Sequence, residues 1–240
     1  MERLAHAHEL LDGPLEAATL EGNLRDLARV NRWLGGARLS VSLIVEATDF
    51  GATRPTRILD IGTGGADIPL AILASWPAEP PPSIVATDVR PEVLAAARTI
   101  HAALDRTPSI SLEVVDGRAL PYPDGSFDVA HTSLVLHHLE PDEAVALLRE
   151  MRRVAGAVVV NDLNRTRLDC LGAWLISHGL TRNAYTRNDA ALSVRRAYTV
   201  REMAGMLRSA GLEPVRLRRG FMGHRYAILA VAADAADGPR

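Results

Sequence analysis

Three aspartates stand at or near the ends of apolar, β-branched runs that have the length of short strands. Asp60 lies in the first run, Asp88 ends the second and Asp116 follows the third. In an open parallel sheet, ligands bind outside the carboxyl ends of the strands, so the three carboxylates should converge on one crevice. Three acids around a ligand favour a cation over a phosphate.

A glycine-rich turn follows the first run. It contains Gly62, Gly64 and Gly65, and glycine allows unusual dihedral angles and a close approach of ligand to backbone. A dinucleotide-binding fingerprint would place its third glycine at position 67, where the sequence has Asp67. A carboxylate in the first helical turn would repel a pyrophosphate at the helix N-terminus. A cofactor without phosphates therefore fits this turn better.

Two adjacent histidines, His137 and His138, follow the fourth predicted strand. Histidine titrates near neutrality and can take the proton of a phenol or another hydroxyl, so either residue is a candidate catalytic base. The alternative is that one ring caps the next helix or only shapes the pocket. His131, in the middle of the strand, is more typical of a semi-buried structural histidine with its hydrogen bonds satisfied.

Four segments resemble, in order and spacing, the motifs of class I S-adenosylmethionine-dependent methyltransferases of the small-molecule, ubiquinone-biosynthesis-like group. In chain order they read ILDIGTGGAD, ATD, VVDGRALPYPDGSFDVA and SLVLHHLEPDEA, and the resemblance covers roughly residues 57–162, nearly half of the chain. The resemblance implies a Rossmann-like methyltransferase fold with S-adenosylmethionine as the cofactor. Ala66 stands where a further glycine often occurs in the family.

The resemblance also implies roles for particular residues. The turn from Gly62 to Gly64 would line the methionine part of the cofactor, and Asp88 would hold the ribose. Asp116 and Gly117 would border the adenine, and Asp60 would hold the loop or reach the amino group through water. The residues predicted to bind the cofactor are Asp60, Gly62, Thr63, Gly64, Asp88, Val89, Asp116, Gly117, Arg118 and Thr132.

The methyl acceptor is expected to bind at an insertion after the fifth strand, about residues 163–197, because this region varies with substrate in the fold. Its aromatic and aliphatic residues could form an apolar wall, and its histidine and arginines could orient a polar group. Ordinary core packing would produce the same apolar spacing. The predicted acceptor-binding residues are Trp33, Trp174, His178, Tyr185 and Arg195.

The elements that must position these residues follow from hydrophobic periodicity. From residue 57 onward, short β-branched runs alternate with helical patterns, which indicates βαβ units. Together with the resemblance, this predicts a doubly wound α/β fold with a mostly parallel seven-stranded sheet, whose last two strands pair antiparallel at an edge. The strands are predicted at 57–61, 83–87, 111–115, 127–132, 156–161, 213–218 and 225–232, and the helices at 66–75, 91–104, 141–154 and 199–210.

The segment before the first strand is amphipathic, with apolar residues at spacings of three and four. The resemblance predicts that residues 1–56 form a helical lid over cofactor and acceptor, and that residues 57–233 form the methyltransferase domain. A lid of this kind would exclude water from the transfer.

The composition excludes several mechanisms. All 27 cationic side chains of the 240-residue chain are arginine, so Schiff-base, pyridoxal-phosphate, Walker-type and ordinary kinase chemistry lack their lysine. Cys170 is the only cysteine, which excludes an intramolecular disulfide and a cysteine-rich zinc site, and no metal site is predicted. No signal-peptide pattern or bilayer-length apolar run is present, so the protein is expected in the cytoplasm, with peripheral lipid contact left open.

Charge is uneven along the chain. Between residues 163 and 225 there are twelve arginines and four acids, and such a flank could bind nucleic acid, an anionic acceptor, an acyl carrier protein or a lipid surface, or be a solvated face. Few aromatics accompany the arginines, so nucleic acid is not the expected partner. We predict methylation of a small, largely apolar acceptor, chiefly at a phenolic or enolic oxygen. The alternatives are C-methylation of a quinol ring, a nucleic-acid methyltransferase relative and a non-catalytic binding module.

Overall fold

A seven-stranded sheet forms the centre of the computed structural model, which describes residues 1–4, 13, 16–49, 54–166, 191–220 and 223–233. The strands run in the spatial order β3-β2-β1-β4-β5-β7-β6. Strands β1 to β5 are parallel to one another, and β7 pairs antiparallel with both β5 and β6. Their bounds are β1 Arg57–Ile61, β2 Ser83–Asp88, β3 Ile110–Val114, β4 Phe127–Ser133, β5 Ala155–Leu163, β6 Leu212–Arg219 and β7 Arg225–Ala232.

Helices cover both faces of this sheet. They are α1 Ala17–Trp33, α2 Gly36–Glu46, α3 Asp67–Ala74, α4 Pro91–Ile100, α5 Pro141–Val154 and α6 Val200–Ser209, with short 3₁₀ turns at Leu104–Arg106 and Leu136–His138 and a helical stretch at 191–196. The doubly wound, mostly parallel α/β fold is therefore confirmed. The antiparallel pairing of the last two strands is confirmed as well.

Local sequence explains where several helices begin and end. Pro141 starts α5, and Glu140 and Glu143 form a reciprocal capping box at its N-terminus. Thr199 and Glu202 form the same arrangement at the start of α6. The helix predicted over 91–104 is shorter, because α4 ends at Ile100 and a 3₁₀ turn follows.

Two apolar cores lie on opposite faces of the sheet. One joins the sheet to α5 and α6 through residues such as Leu148, Met151 and Leu207. The other joins it to α2, α3 and α4 through residues that include Leu43 and Ile72. With strands buried on both faces, the carboxyl edge of the sheet is the place left for a ligand.

The two N-terminal helices have different surroundings. Helix α2 packs against the sheet, and its Leu43 and Ile44 are fully buried. Helix α1 packs on α4 through Leu20 and Leu24 and reaches the glycine turn. The role of residues 1–56 as a lid stays a prediction. Within the described ranges, no helix has both the length and the apolar character needed to cross a membrane.

Candidate functional site

A cleft of about 120 Å³ opens at the carboxyl ends of β1 and β4. The glycine turn after β1 forms its floor, and the start of α3, one face of α1 and the end of β4 form its walls. The lining residues are Leu24, Leu27, Asn31, Asp60, Gly62, Thr63, Gly64, Gly65, Asp67, Ile68, Ser133 and Leu134. The predicted glycine turn therefore lies at a cleft large enough to admit part of a ligand.

Packing and backbone geometry dictate the sequence of the glycine turn. Gly62 has φ of 68°, and a Cβ there would overlap with the side chain of Val135. Thr63 donates its N–H to the carbonyl of Thr87 at 2.8 Å, which ties the turn to β2. Ala66 has φ of 58°, a left-handed conformation that glycine adopts more readily. This explains why a glycine would suit position 66.

Asp88 connects the glycine turn to the end of β2. Its carboxylate accepts the N–H of Gly64 at 3.2 Å and the N–H of Arg90 at 3.1 Å. Burial raises the pKa of Asp88, and the two N–H donors oppose that rise. The side chain is thus a partly desolvated acceptor, suited to the hydroxyl donors of a ribose.

Asp60 and Asp67 add two more carboxylates beside the turn. Asp60 is almost fully buried, and one of its oxygens lies 2.5 Å from Nδ1 of His131. Asp67 accepts a hydrogen bond from Nδ2 of Asn31 at 3.0 Å. Burial raises the pKa of Asp67, and the nearby charge of Asp60 raises it too. The hydrogen bond from Asn31 opposes this rise without cancelling it. Such a cluster of acids favours a cationic ligand.

His131 is not part of the cleft lining. It is fully buried, with Nδ1 against Asp60 and Nε2 at 2.8 Å from Oγ of Ser40 on α2. Both ring nitrogens have the partners expected of a structural histidine, but the ring is fully buried and not semi-buried. The ring holds Asp60 in place at the edge of the cleft.

Asp116 lies at an exposed strand end after β3. Its carboxylate pairs with the guanidinium of Arg118 at 2.9 Å, and Arg118 also reaches Glu143 at 2.9 Å. The pairing with Arg118 lowers the pKa of Asp116. Gly117 is needed for packing, because a Cβ there would come within 2.7 Å of Leu147 and Ile61 side-chain atoms. The adenine-bordering role of these residues stays a prediction.

The two remaining predicted cofactor residues differ in exposure. Val89 is 58% exposed at the end of β2, so its side chain is accessible to a ligand. Thr132 is buried and donates its hydroxyl to the carbonyl of Ile61 at 3.0 Å. The Thr132 side chain therefore joins β4 to β1.

His137 and His138 lie in the 3₁₀ turn after β4, and their rings are 4.2 Å apart. Both oxygens of Asp162, at the end of β5, bind His137: Oδ1 lies 2.7 Å from ring Nδ1, and Oδ2 accepts the backbone N–H at 3.2 Å. Burial raises the pKa of Asp162, but His137 lowers it overall. Neither histidine belongs to the lining of the cleft. Their catalytic role stays a prediction.

The predicted acceptor residues are distributed differently. Trp33 ends α1 and is 57% exposed. Arg195 is exposed, and its carbonyl accepts the N–H of Leu4 at 3.0 Å. The other three predicted acceptor residues lie outside the described residues: Trp174, His178 and Tyr185.

Three cleft residues were not predicted as site residues. Asn31, Ser133 and Leu134 line the cleft, although Ser133 and Leu134 begin the segment SLVLHHLEPDEA. Leu134 has φ of 58°, a strained conformation for a leucine. The signal that could have found Ser133 and Leu134 is their place directly at the end of β4, where ligands of such sheets bind.

Comparisons with known proteins show what the central part of the chain is similar to. A family model described as a methyltransferase domain matches residues 58–156. This chain is 32% identical over 115 residues to the ubiquinone/menaquinone biosynthesis C-methyltransferase UbiE of Geobacter sp. (strain M21). The aligned region covers 47% of each protein. The chain spans about half the length of the curated relatives it matches.

Solved structures share the fold of this methyltransferase domain. A SAM-dependent methyltransferase from Aquifex aeolicus superimposes with a TM-score of 0.61 at 16% identity, over 90% of this chain and 98% of that one. An O-methyltransferase family 2 protein from Planctomyces limnophilus, in complex with apigenin, gives 0.64 at 19% identity, over 92% and 62%. The resemblance to S-adenosylmethionine-dependent methyltransferases, and the cofactor it implies, are confirmed.

The cleft has the chemistry that this cofactor requires. S-adenosylmethionine carries a sulfonium, an amino group and a carboxylate at one end and a ribose diol further along. Asp60 and Asp67 line the cleft and suit the cationic groups, and Asp88, which is bonded to the turn at Gly64 without being a lining residue, suits the diol. Oγ1 of Thr63 is buried in the cleft wall and has no hydrogen-bond partner among the described residues. A buried hydroxyl of this kind is expected to bind a ligand.

Proposed function

We propose that the protein is an enzyme that transfers the methyl group of S-adenosylmethionine to a small, largely apolar acceptor. The observation that carries this proposal is the group of three partly or fully buried carboxylates around the glycine turn, Asp60, Asp67 and Asp88. Desolvated acids stabilise a nearby cation more strongly than exposed ones do. The match of residues 58–156 to a methyltransferase domain supports the same proposal.

The chain's own residues have separable roles in this proposal. Asp88 accepts the ribose hydroxyls, with the N–H groups of Gly64 and Arg90 fixing its orientation. Asp60 and Asp67 stabilise the positive charge at the methionine end. The cofactor supplies an electrophilic methyl group on a sulfonium, so positioning of the acceptor's lone pair accounts for much of the rate.

The acceptor is proposed to be apolar because α1 presents Leu24 and Leu27 to the cleft. Trp33, exposed at the end of the same helix, is not a lining residue of the cleft, and its contact with the acceptor stays a prediction. The acceptor would thus lie along α1, beside Leu24 and Leu27 and near Leu134 after β4. The segment 167–190, predicted to complete this site, lies outside the described residues.

A phenolic or enolic oxygen is the proposed methyl acceptor atom. Its proton needs a base, and the pair of His137 and Asp162 has the arrangement of an oriented histidine. A carboxylate on Nδ1 fixes the ring tautomer, so Nε2 is the basic nitrogen of the neutral ring. C-methylation of a quinol ring is the second candidate, and the similarity to a C-methyltransferase over 47% of the chain favours it.

The basic flank gives little support to a nucleic-acid substrate. Arg165 pairs with Glu202 and Arg208 with Glu213, while Arg216 and Arg218 both pair with Glu46, and Arg225 is buried. Arginines engaged in ion pairs within the protein have less charge to offer to phosphates. The local ion pairs favour the interpretation of this flank as a solvated face.

Product analysis tests the acceptor proposal. The protein is incubated with S-adenosylmethionine labelled with ¹³C in the methyl group and with a panel of alkylphenols, alkylresorcinols and quinols. A methoxy resonance in the ¹³C spectrum supports O-methylation, and an aryl-methyl resonance supports the C-methylation candidate. If the folded protein binds the cofactor and labels no member of the panel, the proposed acceptor class is wrong.

The variant His137→Gln tests the role of His137 as the base. Its side-chain amide N–H can still bond to Asp162, but it cannot accept the acceptor's proton. Turnover of a phenol by this variant should fall at neutral pH and recover as the pH approaches the phenol's own pKa, because the ionised acceptor needs no base. Loss of turnover that is the same at every pH would indicate a structural role only. His138→Gln serves as the matched variant of the neighbouring ring.

A further inference from the structure

Arg225, the first residue of β7, extends its guanidinium beneath the cleft. The side chain is fully buried, and it donates from Nε to Oδ1 of Asn161 at 2.7 Å, from Nη1 to Oδ1 of Asn31 at 2.6 Å and from Nη2 to Oγ of Ser133 at 3.0 Å. Asn31 and Ser133 are both cleft-lining residues. One guanidinium therefore holds two cleft side chains that are 102 positions apart in the sequence, one on α1 and one on β4.

These bonds fix the polarity of the cleft wall, because a guanidinium has donors and no acceptor. The Oδ1 of Asn31 must face Arg225, so its amide nitrogen faces the cleft and donates to Asp67 at 3.0 Å. The hydroxyl oxygen of Ser133 also accepts from Arg225, so its own O–H must point elsewhere. Within the described part of the chain no acceptor for that O–H is found, and Ser133 lines the cleft.

Arg225 places a positive charge in a buried position. Among the described residues, no carboxylate forms an ion pair with it. Burial lowers the pKa of the guanidinium to about 10, and the more distant charges of Asp162 and Asp67 oppose that decrease. It is still a cation at neutral pH. The backbone leaves room for it at Gly36, where a Cβ would overlap with Nη1. Such a buried cation beside a cleft adds a positive field behind Ser133 that an anionic ligand group would gain from.

We propose that Arg225 is a positioning residue for the amino-acid end of the cofactor, acting through Asn31 and Ser133. Asn31 orients Asp67 for the ligand's ammonium group and favours its ionised form, and the Ser133 O–H, with the field of Arg225 behind it, donates to the ligand's carboxylate. The inference rests on the proposed function, since it assigns groups of the same cleft. It adds residues from α1, β4 and β7 that no glycine-turn motif contains.

Two ligands that differ only at the amino-acid end separate this role from general stability. S-adenosylhomocysteine has that end, and 5′-methylthioadenosine lacks it but keeps the ribose and adenine. The variant Arg225→Met should weaken S-adenosylhomocysteine at least about tenfold and change methylthioadenosine affinity less than about twofold, because the lost interactions are charge-assisted hydrogen bonds at one end. The exposed Arg54, which pairs with Asp128, gives the matched control Arg54→Met, for which neither affinity should change.

If Arg225→Met does not fold, the milder variant Ser133→Ala tests the inference. Its affinity for S-adenosylhomocysteine should fall about threefold or more, while its affinity for methylthioadenosine stays the same. Equal weakening of both ligands, or no weakening, overturns the inference and leaves the proposed function intact. So does a wild-type protein that binds the two ligands equally well. A folded wild-type protein that binds neither ligand overturns the proposed function and this inference together.

Discussion

The ends of β2 and β3 carry the same local sequence pattern, an aspartate with an arginine two positions later, and yet they differ in chemistry. Asp88 and Asp116 each accept the backbone N–H of that arginine, at 3.1 and 2.9 Å. Asp88 is largely buried and burial raises its pKa, whereas Asp116 is exposed and Arg118 lowers its pKa. Only the Asp88 carboxylate bonds to the glycine turn.

The side chain of the arginine accounts for much of the difference. Arg118 folds back onto Asp116 at 2.9 Å. Arg90 instead reaches Glu92, with Nε 2.8 Å from the carboxylate. Among the described residues no guanidinium pairs directly with Asp88, so its carboxylate keeps the capacity to accept ligand hydroxyls. We infer that a strand-end acid is available to a ligand when its neighbouring cation is bound elsewhere.

The largest effect is expected from Asp88→Asn. The substitution keeps the size of the side chain but removes its charge, and two hydrogen bonds from ribose hydroxyls to a carboxylate are lost or weakened. We expect S-adenosylmethionine affinity to fall about 100-fold, measured by equilibrium dialysis with labelled cofactor. The ionised, desolvated carboxylate costs folding stability at neutral pH, because its pKa is higher in the folded state than in the unfolded state. The melting temperature should therefore stay the same or rise.

The pH dependence gives the control for this variant. Wild-type affinity should weaken as the pH falls through the raised pKa values of Asp88 and Asp67, at a higher pH than for ordinary aspartates, because protonation removes the acceptor charge. The profile of Asp88→Asn should be flatter. An affinity equal to that of the wild type, or an identical profile, would contradict the assigned role.

The residue between the aspartate and the arginine gives the second contrast. Gly117→Ala should lower the free energy of unfolding by about 1–3 kcal/mol, because its Cβ would press on Leu147 and Ile61 in a packed core. Val89→Ala, at the matching position after Asp88, should change it by less than about 0.5 kcal/mol, since Val89 is exposed. Urea denaturation measures both, and equal stabilities of the two variants would remove this contrast.

A smaller effect is expected from Glu92→Gln, which tests the explanation itself. Without the carboxylate, Arg90 loses its ion pair with Glu92, and its guanidinium can turn toward Asp88 against the hydrogen bond to the Gly13 carbonyl, which would make the end of β2 resemble the end of β3. Affinity for S-adenosylmethionine should fall about threefold, and the double variant with Arg90→Gln should recover it. A loss that the double variant does not recover would show that Glu92 acts by another route.

The smallest effect is expected from Asp116→Asn. Its carboxylate is exposed and already paired with Arg118, so cofactor affinity should change less than about threefold. Calorimetric titration of this variant checks the claim. A decrease in affinity as large as that of Asp88→Asn would mean that Asp116 leaves Arg118 and contacts the adenine when the cofactor binds. The contrast between the two strand ends would then no longer hold.

Local signals were enough to predict much of the fold. The bounds of α5 follow from Pro141 and its capping box, and β1 and β7 follow from their apolar runs. The glycine turn and Asp88 were likewise recognisable, because their chemistry lies within single segments. The helix after β2 was predicted too long, since its end at Ile100 depends on packing that the periodicity does not encode.

Other parts of the site depend on side chains that meet only in three dimensions. Arg225 joins Asn31 and Ser133 from three distant segments, and nothing in the sequence near any of them indicates the contact. The directions of Arg90 and Arg118 are also decided by neighbours, Glu92 in one case and Asp116 with Glu143 in the other. Motifs identify a carboxylate at a strand end, but they do not show which cationic side chain pairs with it.

Calorimetric titration of the wild-type protein, Asp88→Asn and Asp116→Asn with S-adenosylhomocysteine tests the central claim most directly. We predict saturable binding of one ligand per chain by the wild type, nearly the same affinity for Asp116→Asn and about 100-fold weaker binding by Asp88→Asn. Absence of binding by the folded wild type, or equal affinities of the two variants, would contradict the claim that the cofactor is held at the end of β2 beside the glycine turn.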